Sequence, residues 1–285
     1  MKKNNNLRNN LKKEGHTHTE FCPHGSKENV ELMIQKAIRL GFQEYSITEH
    51  APLPPNFKND YEGTRTGLTE ASMGEKDVVA YLDKCKKMQR KYKNQIKINI
   101  GFEIDFFPQY INWTRHFLNK YKKITTDNIL SVHFMRGKNN KFWAVDDELK
   151  DFKIGLLDYF KNTQELYKYY LFYLLQAVQA LKGPLRIGHL TLVKKFQDYF
   201  GLSHGLDDEN QKLMRRLLAL IKKEKFELDF NASGLYKPFC NETYPDLRTI
   251  ILARKMKIPL VYGSDAHSVQ EVGHGYHCLH DLIEN

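Results

Sequence analysis

Seven histidines and two carboxylates stand at, or just beyond, the ends of short runs that read as β-strands. His16 and His18 close the first extended run, His50 follows 43–48, and Glu103 lies in 96–104. His133 follows 128–132, His189 follows 185–188, and Asp265 with His267 follows 259–263, while His24 lies in the turn after the first run. Imidazole suits zinc, iron and manganese, and a carboxylate adds charge and can bridge two ions. Side chains two apart on a strand share a face, so His16 with His18, and Asp265 with His267, each form a chelating edge. A lone strand-end histidine is usually an ordinary polar residue, but the repetition of the placement argues for a common purpose. Nine ligands exceed what one tetrahedral ion takes and suit two or three divalent ions with positions open to water and substrate.

Positioning these residues requires strands whose C-terminal ends meet on one face. Alternating strands and helices that close into a parallel barrel do this. A further strand at 226–231 brings the count to seven, with helices expected at 75–93, 108–121, 151–181, 208–225 and 244–256. Ser26 is the expected cap of a helix carrying Val30, Met33, Ile34, Ala37 and Ile38 at helical spacing, which Gly41 ends. The stretch 51–74, rich in proline and glycine, is too long for a plain connection and reads as a lid or binding loop. The expected architecture is α/β, a seven-stranded TIM-like barrel forming one domain over 1–285, with 1–10 a frayed terminus.

Hydrophobic residues make up 41% of the 285, enough for a large core and too many for disorder. No apolar run approaches a membrane span, and the basic start lacks the apolar segment of a signal peptide, so the expected location is cytoplasmic. Cys22, Cys85, Cys240 and Cys278 are scattered, which speaks against a disulfide framework or zinc ribbon. The net charge of +10 is spread through helical segments such as 84–93 and 222–225, the pattern of a solvated face, so a nucleic-acid partner is not expected. His116 and His204 read as surface residues. His274, His277 and His280 share a helical spacing but make a weaker metal site.

Six further residues are candidates for substrate contact. Arg136 lies three past His133 and Arg65 lies in the long loop, and either offers a forked donor to phosphate. Lys194 and Lys195 follow His189. Asp105 shares the face of Glu103 and suits orienting a histidine, or meeting a substrate ammonium. Asn231 ends the strand that carries no ligand.

The segments HTHTEFCPHG (16–25), ITEHAPLP (47–54), GFEIDFFP (101–108), SVHF (131–134), GHLTLVKKF (188–196) and GSDAH (263–267) resemble the polymerase and histidinol phosphatase (PHP) superfamily. The longer of them, with LDFNASGLYKP (228–238), resemble its histidinol-phosphate phosphatase branch, and the likeness runs over nearly the whole chain. The resemblance implies a distorted seven-stranded TIM-like (β/α) barrel with a trinuclear site. His16, His18, Glu103 and Asp265 would hold one ion, and Glu103 would bridge to a second held also by His133 and His189. His24, His50 and His267 would hold the third. Zinc is the first expectation for the metal, with iron or manganese as alternatives.

The expected function is therefore a metal-dependent phosphomonoesterase acting on a small phosphate ester, L-histidinol phosphate in histidine biosynthesis, by attack of a metal-activated hydroxide on phosphorus. Asp265 is the candidate for handling the proton. Counting only Glu103 and Asp265 against three divalent ions leaves about four positive charges for hydroxide and phosphate. The alternatives are another PHP activity, such as protein-tyrosine dephosphorylation or exonuclease cleavage, and a non-catalytic metal-binding scaffold.

Overall fold

The structure, a computed structural model, describes residues 12–284, so the terminus expected to fray lies outside it. Its strands are β1 (Lys13–Glu14), β2 (Glu44–His50), β3 (Lys97–Asp105), β4 (Asn128–Ser131), β5 (Phe134–Arg136), β6 (Phe142–Ala144), β7 (Leu185–Ile187), β8 (Glu227–Asn231) and β9 (Leu260–Gly263). Seven of them form one parallel sheet in the order β1-β2-β3-β4-β7-β8-β9, and β5 pairs antiparallel with β6. The sheet closes between its two ends. The Gly15 N–H donates to Tyr262 O at 2.8 Å, the Asp265 N–H to His16 O at 2.9 Å and the His18 N–H to Ala266 O at 2.9 Å. The expected seven-stranded barrel is therefore present, and the strand ends that carry the candidate ligands all open on one face.

Helices cover the outside by burying one apolar stripe each. The helix Val30–Arg39 buries Val30, Met33, Ile34 and Ala37, and Val78–Tyr92 buries Tyr81, Leu82, Cys85 and Met88. On the far side Thr163–Ala180 packs with Asp208–Glu224 through Leu171, Leu174, Leu217 and Ile221.

The lumen differs from the aliphatic layers usual in such barrels. Alternate residues of β3 make the division: Phe102 packs outward on Phe117 and Tyr121, while Asn99 and Glu103 reach side chains of other strands. Ser46, Asn99, Asp127, Arg186, Asp229 and Asn231 are all buried; hydrogen bonds join the first four into one set and Asp229 with Asn231 into another. The polar interior continues downward from the open face.

Three local expectations need correction, and one element is additional to them. Asn29, and not Ser26, caps the first helix through the Glu31 N–H; Ser26 instead bonds Glu28. The helix expected over 151–181 breaks at Lys161, which has φ 59°, and restarts at the Asn162 cap. The helix expected from 244 begins only at Leu247, because Tyr244 pairs with the backbone of Asn231. The β5–β6 hairpin is absent from the sequence expectation, although the Gly137–Asn140 stretch between two short apolar runs is a turn signal. The loop 51–74 docks on that hairpin, where Phe57, Phe107, Phe134 and Phe142 form a separate aromatic cluster.

Candidate metal centre

Glu103 lies at the centre of the open face, 2% exposed. Its carboxylate meets five imidazoles: His189 Nε2 at 2.8 Å, His50 Nδ1 at 3.2 Å, His16 Nε2 at 3.3 Å, and His18 and His133 Nε2 at 3.5 Å each. The Ser131 hydroxyl donates to it at 2.6 Å. Asp265 is the second anion, with Oδ1 3.1 Å from His18 Nε2 and 3.5 Å from His16 Nε2. Asn231 Nδ2 and Ser233 Oγ donate to its Oδ2 at 3.2 and 3.3 Å. Asp265 has φ 56°, a left-handed conformation that aspartate tolerates better than most residues and that is concentrated at functional sites.

The far nitrogens of five histidines are tied down. The His16 Nδ1–H donates to Asp229 at 2.7 Å, His18 Nδ1–H to Glu49 at 3.2 Å, and His133 Nδ1–H to Asp105 at 3.0 Å. His24 Nδ1–H donates to Glu70 O at 2.7 Å and His267 Nδ1–H to Asp265 O at 2.9 Å. Such bonds select the tautomer that turns an Nε2 lone pair inward, as metal-binding histidines require. His24 Nε2 then faces His267 Nε2 at 3.0 Å. Two lone pairs at that distance repel unless a cation lies between them. The buried His16 Nε2, His50 Nε2 and Glu103 Oε2 likewise have no hydrogen-bond partner. This donor set fits divalent metal ions.

The electrostatics carry the same demand for positive charge. Burial disfavours charge on Glu103, but the surrounding His16, His133 and His50 hold its carboxyl well below the usual range. Burial also opposes ionisation of Asp265, and His16, His18 and His267 outweigh it. Burial works against protonated His18 and His133, yet Asp265 with Glu49 lifts the first to about 9 and Asp105 with Glu103 lifts the second to about 10. His50 and His267 are pushed well down by burial and by the neighbouring His18. Metal ions would displace the protons that otherwise balance the carboxylates.

Three groups have ligand atoms close enough to share an ion: His16, His18, Glu103 and Asp265; His50, Glu103 and His133; and His18, Cys22, His50 and His267. The first is the quartet expected from the family resemblance. In the second His50 stands beside Glu103 and His133, with His189 joining through Glu103. Cys22, in the third, is not among the nine ligands expected from the sequence, where the scattered cysteines speak only against a disulfide framework or zinc ribbon.

A cleft of about 350 Å³ opens above these residues, lined in part by His24, His50, His133, His189, Asp265 and His267. A larger cavity, about 740 Å³, lies between the helices Asp208–Glu224 and Leu247–Lys255 and contains none of them. Of the substrate-contact candidates, only Lys195 lines the cleft. Lys194, one residue earlier, is 1% exposed and bonded to Glu242 and the His204 carbonyl, both at 2.7 Å. Arg136 lies over the Phe142 ring, 4.6 Å from its centre, and bonds Asn140 O. Arg65 is exposed at the start of the short helix Arg65–Thr69, whose Thr66 and Gly67 reach the cleft instead. Asp105 accepts from both the N–H and the Nδ1–H of His133, and Asn231 supports Asp229 and Asp265.

Asp229, Glu49, Ser233 and the cleft residues Lys237, Asp146, Asp147, Glu70 and Glu271 escaped the sequence reading. Asp229 had a weak signal, since it shares the alternating face of Asn231. Counting Asp229, Glu49 and Asp105 with the two ligand carboxylates lowers the surplus beside three divalent ions from about four charges to about one. His274 stacks on Tyr236 at 4.1 Å, and no metal group among the described residues includes it or His277. The side chain of His280 lies outside those described. His116 and His204 are exposed, the latter paired with Asp198 at 3.1 Å.

A closed α/β barrel with histidines gathered around two buried carboxylates at its strand ends is the arrangement of a class of metal-dependent hydrolases, and comparison with known proteins specifies the family. The family model of the PHP domain matches residues 14–233, and a PHP-associated model matches 247–284. The chain belongs to the PHP domain family. It is 34% identical over 268 residues to the histidinol-phosphatase of Bacillus subtilis (strain 168), covering 93% of this chain and 97% of that one. A Listeria monocytogenes structure provisionally assigned as a histidinol phosphatase superposes with a TM-score of 0.91 at 42% identity, covering 94% of this chain and 99% of that one. The histidinol phosphate phosphatase of Lactococcus lactis subsp. lactis, solved with zinc, L-histidinol and phosphate, has a TM-score of 0.71 at 19% identity, covering 96% and 93%, and shows the shared fold. No helix among the described residues is long and apolar enough to cross a membrane.

Proposed function

We infer that the chain is a metal-dependent phosphomonoesterase that hydrolyses L-histidinol phosphate to L-histidinol and phosphate, a step of histidine biosynthesis carried out in the cytoplasm. The observation that carries this is Glu103, one buried carboxylate in contact with five imidazoles at the mouth of a barrel, in a chain whose relatives are named for this activity. Two or three divalent ions are the cofactors, with zinc the first choice and iron or manganese the alternatives. His16, His18, Glu103 and Asp265 would hold one, Glu103, His133 and His189 a second, and His24, His50 and His267 a third. Residues 1–285 act as one domain, since Asp265 and His267 of the PHP-associated segment share a site with ligands from the PHP segment.

Bound ions would supply Lewis acidity and an activated water. The chain's own residues account for orientation and proton traffic. Lys195 and Lys237 line the cleft where phosphate oxygens would lie. Asp265, with Oδ2 held by Asn231 and Ser233, presents Oδ1 to the centre and is the group that takes or returns a proton during attack on phosphorus. The wall of the cleft also carries Glu70, Asp146, Asp147 and Glu271, with Asp146 3.7 Å from Lys195. A phosphate group at one end and an ammonium at the other suits this wall better than a nucleic-acid backbone does, since successive phosphates would meet four carboxylates.

The test is phosphate release from L-histidinol phosphate by metal-analysed protein, beside phosphotyrosine, sugar phosphates and single-stranded DNA, with a chelated control. A rate on histidinol phosphate at least about a hundredfold above the others, lost on chelation, is expected. Activity confined to DNA or phosphotyrosine would move the chain to another PHP activity. Absence of bound metal and of all hydrolysis would make it a scaffold.

A further inference from the structure

We propose that Arg186 is a positioning residue for the metal centre, acting from inside the barrel through Asp229 on His16. Arg186 is 0% exposed, in a lumen where such barrels ordinarily place aliphatic side chains. A buried guanidinium is costly to desolvate, and a well-packed apolar residue would often serve stability as well or better. The arrangement therefore points to a task other than stability.

The charges around it show what that task is. Arg186 Nη2 donates to Asp127 at 2.6 Å, but Lys13 already reaches the same carboxylate at 2.8 Å. Two cations on one carboxylate leave a positive charge over. Asp229 is the second carboxylate acting on Arg186, after Asp127. Asp229 is itself 0% exposed, and its Oδ2 accepts the His16 Nδ1–H at 2.7 Å. Arg186 Nε and Nη1 and Asp229 Oδ1 are buried without direct hydrogen-bond partners, so Asp127 does not use up the fork. Both groups are 0% exposed, so the attraction between them is weakly screened.

Two glycines make the column possible. A Cβ on Gly15 would lie 2.3 Å from Arg186 Nη1, and one on Gly263 would lie 2.7 Å from Asp229 Oδ1. The strands on either side of the barrel closure thus lack side chains where the two charged heads lie. Direct contacts join Lys13, Asp127 and Arg186 at the N-terminal end of the strands, and Asp229 and His16 nearer the open face; between Arg186 and Asp229 there is no ion pair within 4.0 Å, and the link is the attraction of two buried opposite charges. Arg186 holds Asp229 in place, and Asp229 holds the His16 ring with its Nε2 turned to the centre. Losses of about 10–100-fold in metal affinity follow removal of such supporting partners.

This inference rests on His16 being a metal ligand, so the experiment compares wild type with H16A, R186M, R186Q and R186K. Each variant is loaded with zinc and titrated with a competing chelator, alongside thermal melting and kcat and KM on a phosphate ester. The expected result is that the ion lost in H16A binds about 10–100-fold more weakly in R186M. The remaining ions should stay within about threefold, kcat should fall more than KM, and R186K should recover part of the loss. Should R186M fail to fold, R186Q decides, because it keeps a polar group in the lumen and removes the charge. Wild-type affinity for every ion in a folded R186M or R186Q, whatever the melting temperature, would overturn the proposal and leave Arg186 a structural partner of Asp127. If H16A binds as wild type, the metal assignment itself is at fault, an outcome separate from the first.

Discussion

Replacing Gly263 by alanine tests the barrel closure and the metal centre together. The added methyl would lie 2.5 Å from His16 Cβ and 2.7 Å from Asp229 Oδ1. Ordinary contact starts near 3.4 Å, so these neighbours must withdraw by roughly 0.7–0.9 Å. Neither has slack: His16 O accepts the Asp265 N–H across the closure, and the His16 ring is bonded to Asp229. Overpacking of this kind costs about 1–3 kcal/mol, which for a chain of this size lowers the melting temperature by about 2–5 °C. Displacing a ligand by close to 1 Å costs on the order of a hundredfold in rate. Gly205→Ala is the control, with nothing within 4 Å of the new methyl, and should be neutral or slightly stabilising. Differential scanning calorimetry, metal analysis and kcat/KM on L-histidinol phosphate would be measured on both variants. A Gly263→Ala protein with wild-type melting, metal content and turnover would refute the close approach of His16 and Asp229 to this strand.

Glu103→Gln removes the charge shared by five imidazoles and should lose at least one bound ion and more than about a hundredfold in kcat/KM, read by elemental analysis and steady-state assay. Asp105→Asn should weaken metal binding about 10–100-fold in chelator competition, because the charge behind His133 Nδ1 is lost. Lys194→Met should lower stability with kcat/KM nearly unchanged, since the ammonium is bonded to Glu242 away from the cleft; Lys195→Met should do the reverse, raising KM. Burial opposes ionisation of Asp127, but Arg186 and Lys13 hold its carboxyl below the usual 3.8. Its folded value is thus depressed, so its contribution to stability is present above about pH 4 and is lost as pH falls through the folded value. Urea midpoints at descending pH should drop more steeply for wild type than for Asp127→Asn, and parallel curves would count against the pairing.

The ligand types, their strand-end spacing and the alternation of strands and helices were all legible in the chain. A strand announces itself by local composition, and its last residues face the barrel mouth in any closed parallel barrel. His16, His18, His50, Glu103, His133, His189, Asp265 and His267 could therefore be gathered before any contact was known. The supporting carboxylates could not be, with the exception of Asp105, which follows Glu103 on the same strand. Asp229 reaches His16 across 213 residues, and Glu49 reaches His18 across 31, through strand pairings that no local pattern encodes.

Neighbours in sequence also part company in space. Lys194 turns into a buried ion pair while Lys195 lines the cleft, because adjacent residues in a helical turn point in different directions. Arg136, close to His133 along the chain, is carried away by a hairpin onto Phe142. The amino-acid sequence by itself determined the class of fold and the chemistry of the centre, since both depend on residue type and short-range period. Only the tertiary structure decided which charges offset one another inside the barrel and which cations face the substrate, since these depend on the closure of β1 against β9 and on which way each long side chain turns.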